Sequence, residues 1–143
     1  MRRRADFKGE NRSSSDRDAA TYARKSTEDD AVEELRSVAR QVERSREYAA
    51  RKGWHLRDDL IFVDDGISGF EFERRPGLQK LLGAVEAKAF DVLIMSEPSR
   101  LGREQTETNS LLKRFYDAGI EVWYYLDDRQ ARLDNATGKL IEG

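Results

Sequence analysis

From residue 19 onward, short apolar runs alternate with segments whose apolar residues recur every three or four positions. Ala19-Ala20-Thr21-Tyr22-Ala23 has the character of a buried strand. Val32, Leu35, Val38, Ala39, Val42 and Ala49 then fall at spacings of three, four and seven. That spacing predicts one face of a helix of about 20 residues, ended near Gly53. Trp54 to Val63 predicts a second strand centred on Leu60-Ile61-Phe62-Val63, and Asp64 to Gly69, with two glycines and two carboxylates, predicts a loop. Pro76 suits the first turn of a helix whose face is Leu78, Leu81, Leu82 and Val85. Asp91 to Ser96 is the unbroken apolar run of a strand covered on both sides. A third helix carrying Leu111, Leu112 and Phe115 stops near Gly119, and Ile120 to Tyr125 gives another strand.

This alternation predicts an α/β domain with a central, mostly parallel sheet of about four to five strands and helices on both faces. Ligands of such sheets bind beyond the carboxyl ends of the strands. The segments expected there are Arg24-Lys25-Ser26, Asp64 to Gly69, Ser96 to Arg103, and Asp127-Asp128.

Residues 1–18 carry almost no apolar side chains and read as a flexible basic tail, which leaves 19–143 as one domain. With 26 Lys and Arg against 28 Asp and Glu, the net charge of −2 argues against a self-sufficient DNA-binding module, since phosphate neutralisation needs a basic surface. No cysteine and a single histidine exclude disulfides, thiol nucleophiles and Cys- or His-rich metal sites. His55 follows Trp54 at a strand start, away from the expected site, and reads as structural or exposed. No apolar run approaches the roughly 20 residues that span a bilayer, and the basic start lacks a signal peptide's apolar core. The expected location is the cytoplasm, with no membrane partner.

Three segments carry chemistry. In Tyr22-Ala23-Arg24-Lys25-Ser26, strand periodicity lets Arg24 and Ser26 face one site, a hydroxyl beside a phosphate-binding guanidinium. Ser26 is equally placed to cap a helix beginning Thr27-Glu28-Asp29. In Ser99-Arg100-Leu101-Gly102-Arg103, a helical turn sets Arg100 and Arg103 on one face, where planar cations match the equatorial charge of a phosphoryl transition state; the alternative is a solvated pair. Arg75, at a helix start, is either a phosphate contact or a surface arginine. A small-phosphate binder of flavodoxin type would want glycines after the first strand, and Arg24-Lys25-Ser26-Thr27 has none.

Taken in order, Tyr-x-Arg-x-Ser at 22–26, a helix with Gln41, Gly53-Trp54, Asp65-Gly66-Ile67-Ser68-Gly69, Arg75-Pro76-Gly77-Leu78 and Arg100-Leu101-Gly102-Arg103 closely resemble the catalytic domain of serine site-specific recombinases over residues 19–143. The resemblance implies a resolvase-like fold and DNA cleavage with neither metal nor cofactor. In that scheme a serine attacks a backbone phosphate, leaves a 5′-phosphoserine link and a free 3′-hydroxyl, and the strands are rejoined by the reverse reaction. It casts Ser26 as nucleophile, Arg24 as the scissile-phosphate ligand, and Arg100 and Arg103 as stabilisers of the transition state and leaving oxygen. Gln41 and Arg75 become supporting residues, and Asp65 and Ser68 part of a loop closing over the site. DNA and further copies of the chain, as dimer or tetramer, are the implied partners, in a bacterial or phage context.

Two features depart from the pattern. Ser99 stands where many members have Asp, which leaves the proton-transfer group open, with Glu97 as a substitute. The chain also ends at what reads as the start of the family's long subunit-joining helix, before any DNA-binding region. Poor DNA binding and no stable tetramer are expected of the chain alone, and a truncated, non-catalytic remnant acting through protein contacts is the alternative reading.

Overall fold

The computed structural model describes residues 17–26, 37–67, 74–102, 104–134 and 139–141. Their elements are β1 (Asp18–Ser26), α1 (Val38–Lys52), β2 (His55–Ile67), α2 (Pro76–Glu86), β3 (Val92–Met95), a 3₁₀ turn (Pro98–Arg100), α3 (Gln105–Asp117), β4 (Glu121–Tyr124), β5 (Arg129–Gln130), β6 (Arg132–Asp134) and β7 (Lys139–Ile141). The main sheet runs β2-β1-β3-β4-β5, parallel except for β5, and β6–β7 is a separate antiparallel hairpin. The expected mostly parallel α/β sheet is what forms.

Alternation along the strands divides the core into two layers. Leu93 and Met95 of β3 meet Leu78, Leu81, Leu82 and Val85 of α2 and Leu111, Leu112 and Phe115 of α3, while Val92 and Ile94 meet Tyr48 and Ala49 of α1 with Trp54. No helix among the described residues is long and apolar enough to cross a membrane.

Four expectations need correction. The chain joins the fold at Arg17 and Asp18 rather than at 19: Asp18 opens β1 and Arg17 forms an ion pair with Glu121 at 2.9 Å. The buried face of α1 is Gln41, Ser45, Tyr48 and Ala49, not the apolar series: Ala39 is exposed, Val38 and Val42 are half-buried, and Val32 and Leu35 lie outside the described residues. The strand beneath explains this, because Thr21 shares a 2.8 Å hydrogen bond with Ser45 and the Arg24 backbone bonds Gln41.

Residues 64–67 continue β2 instead of forming a loop. Asp64 pairs in register with Arg24, Asp65 with Lys25, and Ile67 with Ser26, so Gly66, at φ +75°, is accommodated by a register shift. Asp64 is buried, accepting from the Tyr22 hydroxyl at 2.7 Å and from the Gly77 and Leu78 amides of the α2 first turn. Last, Lys139–Ile141 is a strand paired with β6, not the beginning of a helix.

Candidate active site

Parallel pairing of β1 with β3 ends at Thr21 and Ile94, whereas β1 runs on to Ser26. Beyond that point β2 still pairs one edge of β1, and the edge that faced β3 needs partners other than a strand. The amide of Gln41 supplies them: its Oε1 accepts from Arg24 N at 3.2 Å and its Nε2 donates to Arg24 O at 3.0 Å, as a neighbouring peptide would. Arg100 also reaches the Arg24 carbonyl, through Nη1. In return, Arg24 donates from Nε to Arg100 O at 3.1 Å and from Nη2 to Ser99 O at 2.8 Å. The two arginines thus clasp each other across β1 and the 3₁₀ turn, each side chain held by the other's stretch of backbone. Arg24 is 5% exposed and Arg100 5% exposed, so neither is a solvated surface cation.

Carbonyl dipoles orient a guanidinium, so the clasp sets two cations in fixed positions at the carboxyl end of β1. The Nη2 of Arg100 meets two oxygens from its own turn, Glu97 Oε2 at 3.3 Å and Ser99 Oγ at 3.2 Å. A third buried arginine lies beside the clasp: Arg75 donates from Nη1 to the Leu101 carbonyl and from Nη2 to Glu107 Oε2 at 2.9 Å. Two phenols adjoin the cluster. Burial, with the Asp64 hydrogen bond second, pushes Tyr22 far above the ordinary phenol value, and burial pushes Tyr125 up to about 12. Both therefore stay protonated near neutral pH and are poor nucleophiles.

A family model described as Resolvase, N terminal domain matches residues 19–143. The chain belongs to the resolvase family of serine recombinases. Among solved structures, the recombinase domain is similar to the N-terminal catalytic domain of TP901-1 integrase, at TM-score 0.65 and 30% identity over 79% of this chain and 80% of that one. It is also similar to the C-terminal catalytic domain of ISC1926 TnpA, an IS607-like serine recombinase, at TM-score 0.61 and 24% identity over 76% and 69% of the two chains, a likeness of fold alone. The family assignment carries site-specific recombination in general.

Of the residues singled out in this recombinase domain, Arg24, Gln41 and Arg100 are in direct contact, and Arg75 joins them through the neighbouring Leu101 carbonyl. Ser26 ends β1 two residues beyond Arg24, after a register shift that follows Lys25. Asp65 is exposed on β2 beside Lys25. Arg103 and Ser68 lie outside the described residues. Asp128 turns away from the cluster, bound instead to the Tyr48 hydroxyl at 2.6 Å and to Lys52 at 3.0 Å, and His55 is exposed at the opposite end of β2. Sequence reasoning missed Asp64 and Glu107. Asp64 carried a weak signal, a carboxylate directly after the apolar run Leu60-Ile61-Phe62-Val63, whereas Glu107 carried none.

Proposed function

We propose that this domain cuts and rejoins DNA through Ser26. The Ser26 hydroxyl attacks a backbone phosphorus, the Oγ–P bond forms as the P–O3′ bond breaks, and the hydroxyl proton leaves while the departing 3′-oxygen takes one up. A 5′-phosphoserine ester and a free 3′-hydroxyl result, and the ester preserves the phosphodiester's free energy for rejoining. Arg24 and Arg100 stabilise charge on the non-bridging oxygens and Arg103 assists at the leaving oxygen. Gln41 keeps the end of β1 straight. DNA is the partner, bound by a dimer or tetramer of the protein, with Asp65 on β2 beside Lys25 as a supporting residue and Ser68 as a second.

The observation that supports this reading best is the reciprocal Arg24–Arg100 clasp at the end of the strand that finishes with Ser26. Burying two guanidiniums is costly unless they are hydrogen-bonded, and the backbone carbonyls that bond them here hold both in fixed positions. Ser99 and Glu97 both touch the Arg100 guanidinium, so replacement of the family's Asp leaves that cation oriented, which favours an enzyme over a remnant. The test is a chimera of this chain with a DNA-binding domain, incubated with DNA carrying that domain's sites. A denaturation-resistant protein–DNA adduct that disappears on Ser26→Ala supports the proposal. An adduct that survives the substitution, or none from the parent, overturns it and leaves the remnant reading.

A further inference from the structure

Arg75 precedes α2 at φ +20°, a backbone geometry that L residues rarely adopt, and is 3% exposed. Its guanidinium holds the Leu101 carbonyl, one residue past the turn that carries Arg100, and meets Glu107 Oε2 at 2.9 Å. Glu107 stands in the first turn of α3, and its side chain fills the space beside Gly102. A Cβ placed on Gly102 would lie 2.8 Å from Glu107 Oε1, 2.9 Å from Cγ and 3.0 Å from Cβ. Glycine at this position of Arg-Leu-Gly-Arg is therefore the counterpart of the glutamate five residues on.

We propose that Glu107 is a positioning residue: by neutralising and aiming Arg75, and by packing on Gly102, it fixes the 98–102 segment and with it the guanidinium of Arg100. The consequence for catalysis rests on the strand-cleavage reading above; the mechanical part does not. Glu107 touches no reacting atom. Its effect reaches Arg100 through the Arg75–Leu101 bond, and small displacements of a charged group at a phosphoryl centre slow reaction without weakening binding in proportion.

Two measurements decide it. The Arg100 and Leu101 amides bond Glu97 O at 3.2 Å and Pro98 O at 3.0 Å, so their hydrogen exchange in the chain itself reports whether the turn is held. Glu107→Ala is expected to speed exchange at these two amides about tenfold or more while β3 amides keep their protection; Glu107→Gln, which retains an acceptor, speeds it about threefold. Gly102→Ala is expected to loosen the same amides, and the Gly102→Ala/Glu107→Ala pair to exchange no faster than Glu107→Ala alone, because the collision is gone. Unchanged exchange in Glu107→Ala, or additive effects in the pair, overturns the proposal. In the chimera, Glu107→Ala is expected to slow single-turnover cleavage about tenfold with half-saturating DNA concentration within about twofold of the parent. Parallel loss of rate and affinity, or no loss, overturns the catalytic consequence. A parent without a Ser26 adduct removes the cleavage reading but leaves the exchange result to decide the role of Glu107.

Discussion

The two faces of the sheet are covered by different chemistry. Beneath α2 and α3 the contact is made by leucines, Val85 and Phe115 against Leu93, Met95 and Val122, and its polar insert is Asp64 with Tyr22. Beneath α1, aromatic packing of Tyr48 and Trp54 gives way, toward the carboxyl end of β1, to Ser45 on Thr21 and Gln41 on Arg24. An apolar face is nondirectional and tolerates small shifts; a hydrogen-bonded face fixes a strand in one place. The hydrogen-bonded face leads into the arginine clasp. Substitutions under α2 and α3 are therefore expected to change stability, and those at the clasp to change reaction rate.

Arg100→Ala carries the largest expected effect. Adduct formation by the chimera is expected to fall about 10³-fold in a single-turnover assay, since the loss includes both a transition-state cation and the hold on Arg24. A fall under tenfold would erase the contrast between the two regions. Leu81→Ala, fully buried under α2, is expected to cost about 3 kcal/mol and lower Tm by about 10 °C, with the cleavage rate within about threefold when measured well below the transition. A selective loss of rate would show that the apolar face also sets site geometry.

Asp64→Asn probes the polar insert of that apolar face. Its carboxylate accepts from Tyr22 and from two α2 amides, and an amide group turned toward any of these donors is left opposed. The expected cost is about 2 kcal/mol by denaturant titration. Thr21→Val and Ser45→Ala on the other face should each cost about 1 kcal/mol, and the double variant less than the sum, because removing both hydroxyls leaves no buried donor opposite an empty place.

How legible each region was follows from the same division. Leu78, Leu81, Leu82 and Val85 declare their helix because an apolar contact requires apolar spacing along the chain itself. Periodicity misassigned α1, since Gln41 and Ser45 are buried by partners on β1, 17 and 24 residues away in the chain. Asp64 to Ile67 carried loop composition and became strand because β1 offers a pairing edge and α2 offers amides for the carboxylate. Arg24 and Arg100 were identified by motif, but their mutual clasp joins residues 76 apart and left no local trace. Glu107 is the extreme case, meaningful only once Arg75 and Gly102 are brought against α3.

The smallest expected effect lies at the contact between Tyr48 and Asp128. Asp128 sits below the ordinary carboxylate value because it accepts from the Tyr48 hydroxyl first and Lys52 second. A depressed carboxyl stabilises the fold above its unfolded value of 3.8 and loses that contribution as pH falls through the folded one. Tyr48→Phe is expected to raise the Asp128 titration seen by NMR toward 3.8 without altering cleavage near neutral pH. An unmoved titration would place the Tyr48 contact elsewhere.

The central claim is most directly tested by locating the DNA on the protein. The trapped adduct, digested with protease and nuclease and sequenced by mass spectrometry, is expected to carry its nucleotide on Ser26, at the end of β1. A nucleotide on Ser99, whose hydroxyl lies 3.2 Å from the Arg100 guanidinium, would contradict the account by making the turn, not the strand end, the source of the nucleophile.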